Sequence, residues 1–271
     1  MTNSSNELRK GQANPRVSVI MPCYNDSKYL QEAVVSVLNS TYPNVELLIV
    51  NDGSTDNTKE LGLQLEKQFQ NVTFLEQNNK GVAAARNNGV AQSSGEFILP
   101  LDADDKISND YIALAVQKLQ DEQQVKVVYS EAQFFGNKSG LWNLPKFTRK
   151  LLARENMIFS SAMYRKSDFS DCGGYSESML CGWEDWEFWI SMLKDGGKVY
   201  KIPQVCFFYR IKPAATSRRK STNKDIKRAT IDYINSRHLH FMTRYLNGKL
   251  RYMRSWSLTI NTIYQFWGYT G

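Results

Sequence analysis

An apolar run ends in three carboxylates at Phe97-Ile98-Leu99-Pro100-Leu101-Asp102-Ala103-Asp104-Asp105. Asp102 and Asp104 are two residues apart, so an extended chain end points both the same way, and carboxylates that share a space need a cation to offset their repulsion. Hard oxygen donors suit Mg²⁺ or Mn²⁺. Such ions keep coordination positions for water and substrate phosphates when a protein supplies only one or two carboxylates. An Asp-rich turn that caps the next helix has the same composition. Spacing alone leaves both readings open.

The elements around the cluster narrow the choice. Val17-Ser18-Val19-Ile20-Met21 reads as a buried strand, and Leu30, Ala33, Val34, Val37 and Leu38 then fall at i, i+3, i+4, i+7 and i+8, one face of a helix. Further strands are predicted at Val45 to Val50, Val72 to Leu75, Glu96 to Leu101 and Val125 to Tyr129. Helices carrying Leu61, Leu65 and Phe69, then Val82 to Ala91, then Ile112, Ala115, Val116 and Leu119 separate them. Strands and helices alternate five times, which implies an α/β layer with a mostly parallel sheet that binds ligands beyond the carboxyl ends of its strands. Pro22 to Asp26, Asn51 to Asp56 and Asp102 to Asp105 all sit at those ends and are expected to converge on one cleft.

Bulk properties bound the function classes. At 271 residues the chain can bury a full core, and its net charge of +7 favours an anionic partner without choosing among phosphate-bearing ligands, membrane surfaces and nucleic acids. Cys23, Cys172, Cys181 and Cys206 form no C-x-x-C pair, which argues against a zinc site or a disulfide framework. Met1 to Asn14 is polar, without the apolar core of a signal peptide, and no apolar run approaches the roughly 18 residues of a membrane span. The expected location is cytoplasmic, with room for peripheral contact on the inner face of a membrane. No G-x-G-x-x-G follows the first strand, which disfavours a dinucleotide site, and no nucleic-acid reader motif accompanies the charge.

Five motifs then stand in order: Pro22-Cys23-Tyr24-Asn25; Val50-Asn51-Asp52-Gly53-Ser54-Thr55-Asp56; Gly81-Val82-Ala83-Ala84-Ala85-Arg86-Asn87; Leu101-Asp102-Ala103-Asp104-Asp105; and Gly182-Trp183-Glu184-Asp185. In this order and spacing the chain, from about Arg16 to Arg210, resembles the family 2 glycosyltransferases. The resemblance implies a GT-A fold that transfers a sugar from a nucleotide diphosphate donor with inversion at the anomeric carbon.

The same resemblance implies roles. Asp104 would be the metal ligand for Mn²⁺ or Mg²⁺, Asp102 would reach the ribose hydroxyls or the metal's water shell, and Asp105 would serve the turn. Pro22 and Tyr24 would line a uridine pocket, with Asp52 accepting from the ring N3–H and Arg86 completing it. Asp185 would be the base that takes the acceptor hydroxyl's proton, with Glu184 orienting the acceptor and Trp183 offering a face to a sugar ring. Trp183 and Trp186 also read as core aromatics of a buried helix. His238 and His240, the only histidines, fall beyond the matching region and read as helix residues rather than metal ligands. Arg210, Lys212 and Arg218 could neutralise the diphosphate instead.

The expected domain plan is an N-terminal tail over 1–14, a catalytic domain over 15–215 divided near residue 130 into nucleotide and acceptor halves, and a basic, aromatic helical extension over 216–271. In that extension Arg244, Tyr245, Lys249, Leu250, Arg251, Tyr252, Arg254 and Trp256 would suit either a helix lying on an anionic bilayer or one packed on the catalytic domain. The expected partners are a UDP-sugar and a glycan or lipid-linked acceptor. The rival reading is a catalytically silent sugar-nucleotide or glycan-binding module on the same fold.

Overall fold

The computed structural model describes residues 14–179, 182–213 and 224–267. The strands are β1 (Val17–Cys23), β2 (Val45–Asp52), β3 (Val72–Gln77), β4 (Phe97–Pro100), β5 (Lys106–Ile107), β6 (Val125–Gly136), β7 (Gly140–Trp142), β8 (Met163–Arg165) and β9 (Lys198–Ile211). The helices are α1 (Ser27–Leu38), α2 (Thr58–Gln68), α3 (Val82–Gln92), α4 (Tyr111–Asp121), α5 (Arg149–Leu152), α6 (Lys166–Cys172), α7 (Glu184–Leu193), α8 (Lys224–Leu246) and α9 (Ser257–Phe266). A 3₁₀ turn at Arg254–Trp256 precedes α9.

One sheet runs in the order β3-β2-β1-β4-β8-β6-β9-β5, with β7 paired to β6. β1 is buried along its whole length and pairs in parallel with both β2 and β4. The chain therefore leaves β1 to one side and returns on the other, which places a topological switch point at the carboxyl ends of these strands. The long ladders are parallel, β6 with β9 among them, whereas the antiparallel ones at β4–β8, β6–β8, β5–β9 and β6–β7 are two or three residues each. The five strands expected from the sequence correspond to β1 to β4 and β6, and β8 lies beyond them. This three-residue strand inserts antiparallel between β4 and β6, which sequence order alone would place side by side.

Helix packing follows the expected stripes. Leu30, Ala33, Val34 and Val37 are the buried residues of α1, and Tyr111, Ile112, Ala115, Val116 and Leu119 those of α4. α3 buries Ala83, Ala84, Ala85, Gly89 and Val90, side chains small enough to bring its backbone close to the sheet. α7 is buried nearly all round, as a helix that crosses a core must be. α8 packs on α5 and α7 through Ile231, Ile234, Phe241, Met242 and Leu246, so its apolar stripe is covered by protein. His238 interrupts the helical geometry of α8 and bonds through Nε2 to Glu187 Oε1 of α7 at 2.7 Å, while His240 is exposed. Among the described residues no helix is long and apolar enough to cross a membrane.

Candidate active site

The carboxyl ends of β2, β1 and β4 lie side by side and carry Asp52, Tyr24 and the Asp102–Asp105 cluster in turn. Pro22 is buried inside β1 opposite Val50, and Tyr24 follows the strand with its side chain partly buried. Asp52 is buried and organises the loop before α3. Its Oδ1 accepts from Gln77 Nε2 and from the Lys80 amide, both at 2.8 Å, and its Oδ2 accepts from the Gly81 amide at 2.9 Å. Oδ1 is then filled, while Oδ2 keeps one acceptor position free of described residues. Gly81 has φ of 90°, the left-handed turn that lets its amide face Asp52 as α3 begins. Asp56 ties two helix starts together, accepting from the amides of Ser27 and Thr58 at 3.1 Å each.

Arg86, on α3, is 1% exposed. Its Nη2 donates to Asp102 Oδ1 and its Nη1 to Glu184 Oε1, each at 2.8 Å, and its guanidinium lies 5.3 Å from the centre of the Tyr175 ring. Its charge is thus directed at the two carboxylates it holds. Asp102 keeps Oδ2 toward Ser160, 3.5 Å from its hydroxyl.

The cluster divides by environment. Asp105 is buried and accepts the Arg210 amide at 2.7 Å, and burial with the neighbouring Asp104 and Asp102 pushes its carboxyl well above the usual range. Asp104 is more open. Its Oδ2 is 2.9 Å from the Lys212 ammonium, which also pairs with Asp26, and Arg210 Nε donates to its backbone carbonyl at 2.7 Å. Burial works against the charge on Lys212, but Asp104 and Asp26 outweigh it and hold the ammonium above its ordinary pKa. Arg218 lies outside the described residues.

Among the described residues no group of three or more His, Cys, Asp or Glu side chains is arranged to hold a metal. The protein offers instead carboxylates that already gather a cation, in the form of the Lys212 ammonium between Asp26 and Asp104. That donor set suits a hard divalent ion arriving with a phosphate ligand that completes its shell.

The second cluster opens α7. Gly182 (φ 92°) and Trp183 (φ 66°) both take left-handed backbone, and a bulky residue there is held under strain. Glu184 and Asp185 follow in the first helical turn. Asp185 Oδ1 accepts the Trp186 amide at 2.8 Å and Oδ2 accepts from Asn156 Nδ2 at 2.9 Å. Burial, reinforced by Glu184, pushes Asp185 up to about 7 against the pull of Arg86. Trp186 resolves toward the core reading: it is 1% exposed and its Nε1 donates to the Leu152 carbonyl at 2.7 Å. Trp183 stays partly buried, edge-on to Trp186 with ring centres 5.5 Å apart. The structure adds Asn156 and Ser160 to the site's contacts and sets Lys212, already a candidate from the sequence, against Asp26 and Asp104. Lys212 carried a sequence signal as a basic residue past the last motif, whereas Asn156 and Ser160 are ordinary polar residues in a loop.

Fold and site together define the GT-A class of nucleotide-sugar transferases, a curled and largely parallel sheet with acidic strand ends facing a separate acidic helix start. The model of the glycosyl transferase family 2 matches residues 18–180, and the chain belongs to that family. TuaG of Bacillus subtilis, a glycosyltransferase named for teichuronic acid biosynthesis, is 30% identical over 242 residues, covering 84% of this chain and 91% of that protein. GlyA of Streptococcus pneumoniae is 33% identical over 127 residues, and chondroitin synthase of Escherichia coli is 28% identical over 197. The chain spans only 18% and 28% of the length of these two. Among solved structures, S. aureus TarS 1-349 in complex with UDP-GlcNAc superposes with a TM-score of 0.72 at 18% identity, over 93% of this chain and 75% of that one. The mannosyltransferase PcManGT from Pyrobaculum calidifontis, in complex with GDP-Man and Mn²⁺, gives 0.64 at 19% identity, over 96% and 77%. These two likenesses establish the fold.

Proposed function

We propose that the chain transfers a sugar from a UDP-sugar to a hydroxyl of a glycan or lipid-linked acceptor, with inversion, in a metal-assisted reaction of polysaccharide biosynthesis. One observation carries the reading. The Arg86 guanidinium joins Asp102 to Glu184, so the acidic end of β4 and the acidic start of α7 belong to one site.

In this reading Asp185 takes the acceptor O–H proton as the oxygen bonds to the anomeric carbon, and the bond from that carbon to the diphosphate oxygen breaks with its electron pair leaving on UDP. A carboxyl held near neutrality and oriented by Asn156 suits that task. Tyr24 would face the uracil, with Asp52 Oδ2 accepting from its N3–H and Asp102 reaching the ribose; Pro22 shapes the wall. Asp104 would hold Mn²⁺ or Mg²⁺, which as a Lewis acid stabilises charge on the departing diphosphate. The domain plan drawn from the sequence belongs to the same proposal.

So does peripheral membrane contact: Met253, Trp256, Ile263, Phe266 and Trp267 are exposed at the chain's far end, where Arg251 and Lys249 supply positive charge toward an anionic surface. Equal flotation with anionic liposomes after Phe266→Ser and Trp267→Ser would refute that contact.

The decisive experiment for the enzyme is Asp185→Asn. Turnover across a panel of UDP-sugars and acceptors should vanish while UDP binding by calorimetry persists; near-normal turnover would refute the assignment.

A further inference from the structure

The C-terminal segment sets cations against the aromatic wall beside Asp185. Arg254 places its guanidinium 4.9 Å from the Trp183 ring centre and 5.3 Å from that of Trp186. Lys227, in the first turn of α8, holds its ammonium 6.0 Å from Trp183 and 4.8 Å from Tyr252, and the Arg228 guanidinium lies 5.7 Å from Tyr252. Two cations thus frame an indole that stands two residues before Asp185 in the chain, and a third, Arg228, stands beside them across the Tyr252 ring.

The other cations near the site are paired. Arg86 holds Asp102 and Glu184, Lys212 holds Asp26 and Asp104, and Arg210 holds Glu32. The side chains of Lys227, Arg228 and Arg254 make neither an ion pair nor a hydrogen bond among the described residues. Arg254 is also partly buried, and the carboxylate that acts on it, Glu155, stands beyond ion-pair distance. An aromatic face attracts such a cation without neutralising it. Desolvation without a direct ion pair is unfavourable in the free protein and is relieved when an anion arrives.

A flat apolar ring rimmed by unneutralised cations matches a sugar that carries an oxyanion: the ring face meets the indole and the charge meets the guanidinium and ammonium groups. We infer that Trp183, Lys227, Arg228 and Arg254 form an acceptor subsite for a glycan bearing a negative charge on or next to the accepting sugar. The inference rests on the reading of Asp185 as the base that faces the acceptor. A hexuronate carboxylate and a phosphate monoester share this chemistry.

The test uses the full chain and three probes of one sugar sequence: a trisaccharide with a hexuronate residue, the same trisaccharide phosphorylated instead, and its neutral carboxyl-reduced form. Binding is read by quenching of tryptophan fluorescence and by calorimetry. At low salt one or both charged probes should bind about tenfold or more tightly than the neutral one, a margin that shrinks at about 0.5 M NaCl. Whichever charged probe binds better identifies the carboxylate or the phosphate as the oxyanion source.

Arg254→Gln should erase the margin and Arg254→Lys should keep part of it. If Arg254→Gln melts early, Arg228→Gln, at an exposed position, carries the same test and should narrow the margin. Equal binding of charged and neutral probes by the native chain would overturn the subsite, as would variants that keep the native margin while losing only thermal stability. That last result would mean that the cations merely anchor the C-terminal segment. The Asp185→Asn turnover result is independent of these binding data, so failure of the base and failure of the subsite are told apart.

Discussion

Arg86 Nη1 and Glu184 Oε1 are 2.8 Å apart although 98 positions separate the two residues in the chain. The other arm of the guanidinium holds Asp102, so one buried cation clamps α3, the end of β4 and the start of α7. Charges removed from water are tolerated only when paired, and removing one partner strands the others. Two carboxylates otherwise left facing each other would separate, and the two halves of the cleft with them.

Arg86→Ala should therefore destabilise the fold by about 3–5 kcal/mol, the usual cost of breaking a buried ion pair. Arg86→Lys should recover only part of it, because a single ammonium cannot reproduce the forked contact to both acids. Urea denaturation followed by far-UV circular dichroism checks both; a loss under about 1 kcal/mol for Arg86→Ala would mean that the clamp is not structural.

The pH profile of transfer should follow Asp185. A base works only when deprotonated, and a folded-state pKa near 7 leaves Asp185 protonated below neutrality. Turnover at saturating substrate should fall about tenfold per pH unit below about pH 6.5 and level off above about pH 7.5. Asn156→Ala removes a hydrogen bond to the carboxylate and leaves burial in place, so the acidic limb should move to higher pH. An unmoved limb would assign the titration to another group.

The same shift has a consequence for stability. Asp185 is ordinarily an acid near 3.8 and lies near 7 in the fold, so between those values the native state binds the proton that the unfolded chain has lost. Native stability from this group is fullest at acid pH and declines as pH rises through that window, by up to about 1.4 kcal/mol per unit. Asp185→Asn does not ionise. Its melting temperature should exceed the native value at pH 8, and the difference should vanish toward pH 4.

The first half of the chain is legible because its elements are long and periodic. Val17 to Met21 and Leu30 to Leu38 show continuous and 3.6-residue patterns, and the motif residues follow them at strand ends where the structure has them. β8 was not legible: three residues of Met163–Arg165 carry no periodicity, and their antiparallel place between β4 and β6 is a tertiary choice. The same holds within the site. Two acidic motifs could be named from the sequence, but neither the Arg86 clamp between them nor the Asn156 contact to Asp185 follows from local spacing. For Arg254 the sequence leaves open a bilayer or the catalytic domain as neighbour, and only the tertiary fold brings it onto Trp183.

Gly89 tests how closely α3 must approach the sheet to deliver Arg86. A Cβ there would stand 2.4 Å from Ile20 Cγ2 and 3.1 Å from Val50 Cγ2, both on buried strands. Gly89 lies three residues after Arg86, on the same side of the helix. Gly89→Ala should cost about 1–3 kcal/mol despite the better helix propensity of alanine, because overpacking outweighs it. Stabilisation of the variant in urea would show that α3 has room to move.

Lys212 gives the sharpest test of the cation site. Its ammonium lies between Asp26 and Asp104, so any metal that binds Asp104 must displace it or share the carboxylate with it. Both alternatives oppose metal binding in the absence of phosphate, since two cations would crowd one small anionic patch. A nucleotide diphosphate changes the balance by adding negative charge that both cations can face. Lys212→Met keeps most of the apolar stem and removes the charge. It should bind Mn²⁺ alone several-fold more tightly than the native chain, measured by electron paramagnetic resonance of the free ion, while Asp104→Asn should abolish the gain. With UDP present the order should reverse or close, because the native lysine then assists the phosphates. If Lys212→Met leaves Mn²⁺ affinity unchanged with and without UDP, the ammonium and the metal do not share the Asp104 carboxylate.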